Sequence, residues 1–231
     1  MNLITFWKSL LHLFYPEICF GCNDILVSQE LMLCTTCLYH LPLTDHFLSR
    51  DNELLIYLKG KIELQTAQSL LYLTPKGRVE QMIYHLKYNN HPQIGYYLGQ
   101  LFGERLISSE TYQKIDIIVP IPLHPKRKSK RGYNQSEYFA NGIASKLDAV
   151  VCNNLLYRSK FTRTQTQLVR LERIQNMEEV FYCKNPQRYH ECHMLLVDDV
   201  ITTGATLVSA AEILIESIPS CKVSIGTIAR A

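Results

Sequence analysis

An apolar run that ends in two adjacent carboxylates and continues into a threonine- and glycine-rich turn leaves few ways to fold. Residues 195–214 read LLVDDVITTGATLVSAAEIL. Leu195, Leu196 and Val197 have the character of a buried strand, while Leu207, Ala210, Ala211 and Leu214 recur at helical spacing. Asp198 to Ala205 is therefore expected to be a strand-to-helix turn. In open α/β sheets such turns lie beyond the carboxyl ends of the strands, where ligands bind, and the free amides of a helix N-terminus attract anions. Gly204 would let an anion approach the backbone, and Thr202, Thr203 and Thr206 add hydroxyl groups around it. Asp198 and Asp199 can only accept hydrogen bonds while ionised, which suits them to sugar hydroxyls or to a nearby cation. The stretch pairs a phosphate cradle with a hydroxyl acceptor, the two ends of a ribose 5-phosphate. A capped turn, in which an acid satisfies helix amides and the threonines bond locally, is the plainer alternative. Two acids followed by Thr-Thr-Gly-Ala-Thr exceed what one cap needs.

The rest of the chain supplies the sheet for that turn. From Ile115 onward strands and helices alternate: IDIIVPIP as strand, a helix after Asn134, MLLVDD as strand, Ala205 to Ser217 as helix and KVSIGTIA as strand. That order predicts an α/β fold with a doubly wound, mainly parallel sheet. Pro120 and Pro122 end the IDIIV strand, since proline cannot donate to a ladder. Upstream, Gln68 to Leu73 reads as a strand, Val79, Met82, Ile83 and Leu86 mark one face of a helix after Gly77, and Ile94, Leu98, Leu101 and Phe102 mark another after Pro92. Between Pro122 and a capping box at Asn134 and Glu137 lies LHPKRKSKRGY, expected to be a loop crowded with Lys126, Arg127, Lys128, Lys130 and Arg131. A solvated basic loop and a nucleic-acid contact are both open readings. A third puts the loop's cations where a pyrophosphate could lie, because the loop leaves the same sheet as the acid pair and arginine grips phosphate in a bidentate fork while lysine adds a point charge.

Four of the eight cysteines form two CxxC pairs, Cys19 with Cys22 and Cys34 with Cys37, and the others are scattered. Paired CxxC spacing fits a closed tetrahedral site for structural Zn2+. Disulfides are the rival, disfavoured in a reducing compartment. So small a module has little core of its own, and zinc would supply much of its folding energy. Residues 1–45 are expected to form this module, including an N-terminal amphipathic segment (Ile4, Phe6, Trp7, Leu10, Leu11, Phe14), and residues 46–231 the α/β domain. The formal net charge of +3 is too mild to name a partner, and 47% hydrophobic residues suffice for a packed core. The absence of an uninterrupted apolar run of ~18 residues argues against stable membrane insertion and makes a cytoplasmic location the default.

The acid pair and threonine-rich turn resemble the 5-phosphoribosyl-1-pyrophosphate (PRPP) motif of type I phosphoribosyltransferases. With CFGC and CTTC, HLKY at 85–88, VPIPLHPKRKSKRGYNQSE, RSKFTRTQTQL and the terminal IAR, the resemblance narrows to the ComF family, associated with competence for DNA uptake, and covers nearly the whole chain. Lys160 stands where the family pattern has arginine, which keeps the charge and loses the fork. The resemblance implies a type I phosphoribosyltransferase sheet with a small N-terminal zinc ribbon. It also implies a glycosyltransferase chemistry in which PRPP, bound with Mg2+, gives its phosphoribosyl group to a base or amine. Asp198 and Asp199 would hold the ribose hydroxyls, Thr202, Thr203, Gly204, Ala205 and Thr206 the 5-phosphate, and Arg127, Lys130 and Arg131 the pyrophosphate. Arg158 and Gln165 would close over the site, Cys19, Cys22, Cys34 and Cys37 would hold zinc, and His85 and Lys87 are candidate acceptor contacts or residues of a partly exposed helix. The alternative function is a DNA-uptake scaffold that binds single-stranded DNA or a helicase-like competence protein, its PRPP binding regulatory or vestigial.

Overall fold

The computed structural model describes residues 16–110, 112–160 and 179–231. In chain order its elements are α1 (Thr35–Tyr39), α2 (Glu53–Lys59), β1 (Ala67–Tyr72), α3 (Arg78–Tyr88), α4 (Gln93–Ile107), β2 (Ile117–Pro120), α5 (Pro125–Arg131) and α6 (Gln135–Ala144). Then follow β3 (Val150–Val151), β4 (Leu156–Lys160), β5 (Glu179–Cys183), β6 (His193–Ile201), α7 (Ala205–Ser217) and β7 (Lys222–Arg230). Five strands form a parallel sheet in the order β1-β7-β6-β2-β3, and β4 and β5 pair as a separate antiparallel ribbon. No helix among the described residues is long and apolar enough to cross a membrane.

β6 is the axis of the sheet. Its residues Met194, Leu195, Leu196 and Val197 are fully buried, the uninterrupted apolar run expected of a strand covered on both faces. Alternation sorts them: Leu195 and Val197 pack with α3, α4 and α6, whereas Met194 and Leu196 pack with α2 and α7. The sheet is therefore doubly wound, as the alternation of segments predicts. α4 and α6 approach until their backbones nearly touch. A Cβ on Gly142 would overlap the Tyr96 carbonyl oxygen, and one on Gly99 the Phe139 carbonyl oxygen, so only glycine fits at this crossing.

Three expectations need correction. β6 does not stop at the acids but continues through Ile201, with Asp198 opposite Thr227 and Ile201 opposite Arg230, because the nine-residue β7 goes on offering ladder partners and Val200 and Ile201 are β-branched. The turn is thus only Thr202 to Gly204. The basic segment is a helix rather than a loop: Pro125 occupies its first turn, the His124 side chain accepts from Lys126 N, and Gly132 ends it at φ +81°. Three of its cations, Lys128, Lys130 and Arg131, sit in the last turn, where the helix dipole favours them. The capping box at Asn134 is half formed, since Asn134 Oδ1 accepts from Ser136 N while Glu137 Oε1 accepts from Asn153 Nδ2. One element escapes the sequence reading: α2, capped by Asn52 Oδ1 on Leu54 N and Leu55 N, buries Leu54, Leu55 and Leu58 on the sheet. The N-terminal apolar face, Gln165 and the rest of RSKFTRTQTQL beyond Lys160 lie outside the described residues.

Candidate functional site

The carboxyl ends of β2 and β6 open into a cleft of about 870 Å³. Asp198 and Asp199 of β6 line it, facing Arg127, Lys130 and Arg131 of α5, Arg158 of β4 and the first turn of α6. The acid pair lies half-buried in the strand rather than in a turn as the sequence reading has it. Asp198 Oδ1 accepts from Ser136 Oγ at 2.9 Å and from Asp199 N at 2.8 Å. Asp199 Oδ1 pairs with Lys87 Nζ at 3.0 Å, the two side chains only 13% and 22% exposed. Burial, and then the neighbouring Asp199 charge, push the Asp198 carboxyl up to about 7, against the opposing pull of the Asp199 amide, Ser136 and Lys87.

The threonine turn flanks this cleft. Thr206 lines both the cleft and a small adjoining hollow formed by Thr202, Thr203, Gly204 and Ala205 with Asp198. Gly204 adopts φ +74°, a backbone conformation that favours glycine, and a Cβ there would also crowd Leu58 Cδ2 of α2 at 3.0 Å. α2 and the residues just past its end also clamp the turn. Tyr57 OH and Lys61 Nζ both donate to the Thr203 carbonyl, at 3.2 and 3.1 Å, with Lys61 Nζ 3.9 Å above the Tyr57 ring. The sequence signal for Tyr57 is the Asn cap followed by ELLIYLK, a short apolar stripe inside an otherwise polar stretch, and Lys61 stands two residues past its end.

The cations are held by local contacts. Arg131 Nη1 donates to Gln135 Oε1 at 2.7 Å while its guanidinium lies 5.4 Å from the Tyr88 ring centroid, and Arg158 sits 5.4 Å from that of Phe181. Of the two candidate acceptor contacts, Lys87 reaches the acid pair. His85 instead packs on Phe20 and His91, with ring centroids 5.3 and 5.8 Å away.

Sγ atoms of Cys19, Cys22, Cys34 and Cys37 all lie within 4.8 Å of one another, and all four thiols are free. The Cys22 and Cys34 sulfurs are 3.7 Å apart. Tetrahedral zinc with Zn–S bonds of about 2.3 Å sets its sulfurs about 3.8 Å apart, so the spacing fits a metal. Amides of Gly21 and Cys34 donate to Cys19 Sγ, and that of Cys37 to Cys34 Sγ, as sulfurs carrying negative charge require. Burial opposes ionisation of Cys19, yet the amides of Cys34, Gly21 and Cys22 outweigh it and bring the thiol down to about 7. Burial pushes Cys37 up to about 11 and raises Cys22 as well. The module shares its core with α3 and α4, and Asn23 Nδ2 donates to Gln81 Oε1 on α3.

A phosphoribosyl transferase domain is recognised over residues 133–231, which contains α6, the acid pair and the threonine turn. Competence protein F of Haemophilus influenzae is 38% identical over 102 residues, 43% of this chain and 44% of that protein. DNA utilization protein YhgH of Salmonella typhimurium is 30% identical over 59% of this chain and 60% of its own length. These alignments thus span roughly half of those relatives, whereas competence protein ComFC of Bacillus subtilis, 27% identical, aligns over 97% of this chain and 89% of its own. A phosphoribosyl transferase domain on a parallel sheet, and similarity to relatives of these names, are what the resemblance to the ComF family predicts.

Proposed function

We propose that the chain binds PRPP with Mg2+ in the cleft and transfers its phosphoribosyl group to a base or amine, releasing pyrophosphate. The carrying observation is the opposition of charge across one cavity, two carboxylates on β6 against Arg127, Lys130, Arg131 and Arg158. Asp198 and Asp199 would accept the ribose hydroxyls, and the turn from Thr202 to Thr206 would hold the 5-phosphate at the N-terminus of the 13-residue α7. As the bond from ribose C1 to pyrophosphate breaks, positive charge develops on the ring, and the acid pair is placed to stabilise it while the cations take up the leaving charge. Magnesium, for which the carboxylates offer hard oxygen ligands, would neutralise part of the pyrophosphate charge. No protein nucleophile is required, so catalysis reduces to positioning and electrostatics. Calorimetry with magnesium PRPP, followed by a screen of bases and amines for pyrophosphate release, tests the proposal. Saturable binding with release supports it, and a chain that binds no PRPP refutes it.

In the same reading residues 1–45 are a zinc module on a phosphoribosyltransferase-like domain, residues 46–231. Cys19, Cys22, Cys34 and Cys37 would hold one Zn2+, whose role is to tie down a segment with few buried residues of its own. A second reading, a DNA-uptake scaffold binding single-stranded DNA or a helicase-like partner, is favoured by the relatives named for competence and DNA utilization and by α5, which buries none of its residues. Reversing charge at Arg127 and Arg131 separates the two. Weakened PRPP binding is expected, whereas unchanged PRPP affinity with lost, steeply salt-dependent DNA binding would assign α5 to the scaffold.

A further inference from the structure

The first turn of α6 leaves one buried donor without an acceptor. Gln135 is 1% exposed and lines the cleft. Its Oε1 accepts from Arg131 Nη1 at 2.7 Å. A guanidinium can only donate, so this contact fixes which end of the amide faces Arg131 and turns Nε2 away from it. Among the described residues Nε2 is buried with no hydrogen-bond partner. Folds avoid leaving such a group unmet, and an exception inside a ligand cleft points to a ligand atom. The position narrows what that atom is. On one side of Gln135 stands Arg131; on the other, its chain neighbour Ser136 donates to Asp198 Oδ1 at 2.9 Å. Gln135 therefore lies where the cationic half of the cleft meets the acidic half, at the positive end of the ten-residue α6. An amide N–H there suits a group that only accepts and carries negative charge, which describes a phosphate oxygen.

Resting on the phosphoribosyl reading, we propose that Gln135 Nε2 is a ligand-binding donor for a non-bridging oxygen of the diphosphate, between Arg131 and the acid pair. The residue would then do two things at once. Its carbonyl orients Arg131, and its amide meets the phosphate where the bond to ribose is broken.

The test uses the full chain with inorganic pyrophosphate and magnesium. The Gln135 side-chain amide resonance, assigned through bonds in wild-type protein, is expected to shift as pyrophosphate saturates, and Gln135→Met to weaken pyrophosphate binding about tenfold. Loss of affinity alone would also follow if Gln135 merely held Arg131, so the resonance decides. A resonance that stays put while neighbouring signals report saturation overturns the assignment and leaves the phosphoribosyl reading standing. Wild-type protein that binds neither PRPP nor pyrophosphate overturns both. Because the resonance is read on wild-type protein, a Gln135→Met variant that fails to fold does not rescue the proposal.

Discussion

Replacing Asp198 with asparagine should make the unliganded protein more stable while spoiling its ligand site. The Asp198 carboxyl is raised from 3.8 to about 7, chiefly by burial and then by the Asp199 charge. Such a rise corresponds to about 4 kcal/mol of penalty for the ionised form. The cleft admits water, which we take to screen about half of it, leaving about 2 kcal/mol. Folding raises this carboxyl above its unfolded value, so ionisation works against the folded state: the penalty is absent below about pH 4, grows as pH rises and is complete above about pH 7. Asparagine removes the charge and keeps an oxygen to accept from Ser136 Oγ and Asp199 N, the two bonds that Asp198 Oδ1 makes. For a chain of this size 2 kcal/mol amounts to a rise of roughly 4–8 °C in Tm. Calorimetric melting of both proteins at pH 8 and pH 4.5 is the assay, with the gain expected at pH 8 and mostly lost at pH 4.5. PRPP affinity should fall about tenfold or more, because a hydrogen bond to a charged carboxylate is replaced by a neutral one. A variant that melts below the parent at pH 8 would mean the acid is a structural cap. One that binds PRPP like the parent would refute the ribose assignment.

Gly142→Ala should destabilise by at least about 2 kcal/mol in urea melts, since the new methyl meets the Tyr96 carbonyl across the α4–α6 crossing, whereas Gly60→Ala, with nothing within 4 Å, should be near neutral. Purified protein should carry one zinc by metal analysis, and strong chelation should loosen the cysteine module and its packing on α3 while most of the sheet persists in circular dichroism; protein with no metal and linked cysteines would refute the site. Burial lowers His46 and His193 below the ordinary 6.5, so the neutral rings contribute stability that is complete above about pH 6.5 and is lost as pH falls, and His193→Asn should flatten that part of the Tm profile.

What the sequence disclosed followed from periodicity, and what it hid followed from contacts between distant segments. The face Val79, Met82, Ile83 and Leu86 is buried as its spacing predicts, and α7 runs from Ala205 to Ser217 as its apolar pattern predicts. Strand ends are different, because a strand stops where its neighbour stops offering partners. Nothing within LLVDDVIT says that β7 will accompany it as far as Arg230. The basic run shows the opposite failure. Lysine and arginine are good helix formers and Pro125 and Gly132 bracket them correctly, yet a stretch with no apolar face carries no periodicity to read. α2 was hidden by brevity, its three leucines falling in a seven-residue helix that packs on nearby β1 and shares its core with the distant β6 and α7.

The motif HLKY shows why a short string can be legible as important and still illegible in role. Successive residues on a helix are separated by about 100°, so His85 and Lys87 point about 200° apart and cannot serve one ligand together. The structure bears this out with separate destinations: His85 lies edge-on to Phe20, between Cys19 and Gly21, whereas Lys87 pairs with Asp199 and Tyr88 stands beneath Arg131. Leu86, between them, is fully buried in the core that the cysteine module shares with the sheet. One turn of α3 therefore touches Phe20 of the cysteine module on one side and the acid pair and a cation of the cleft on the other. That arrangement gives a physical reason for the module to sit where it does. The ammonium that balances Asp199 is carried on a helix whose opposite flank is braced by Phe20 and by the Asn23–Gln81 bond, so the seating of the four cysteines bears directly on the position of a charge inside the cleft.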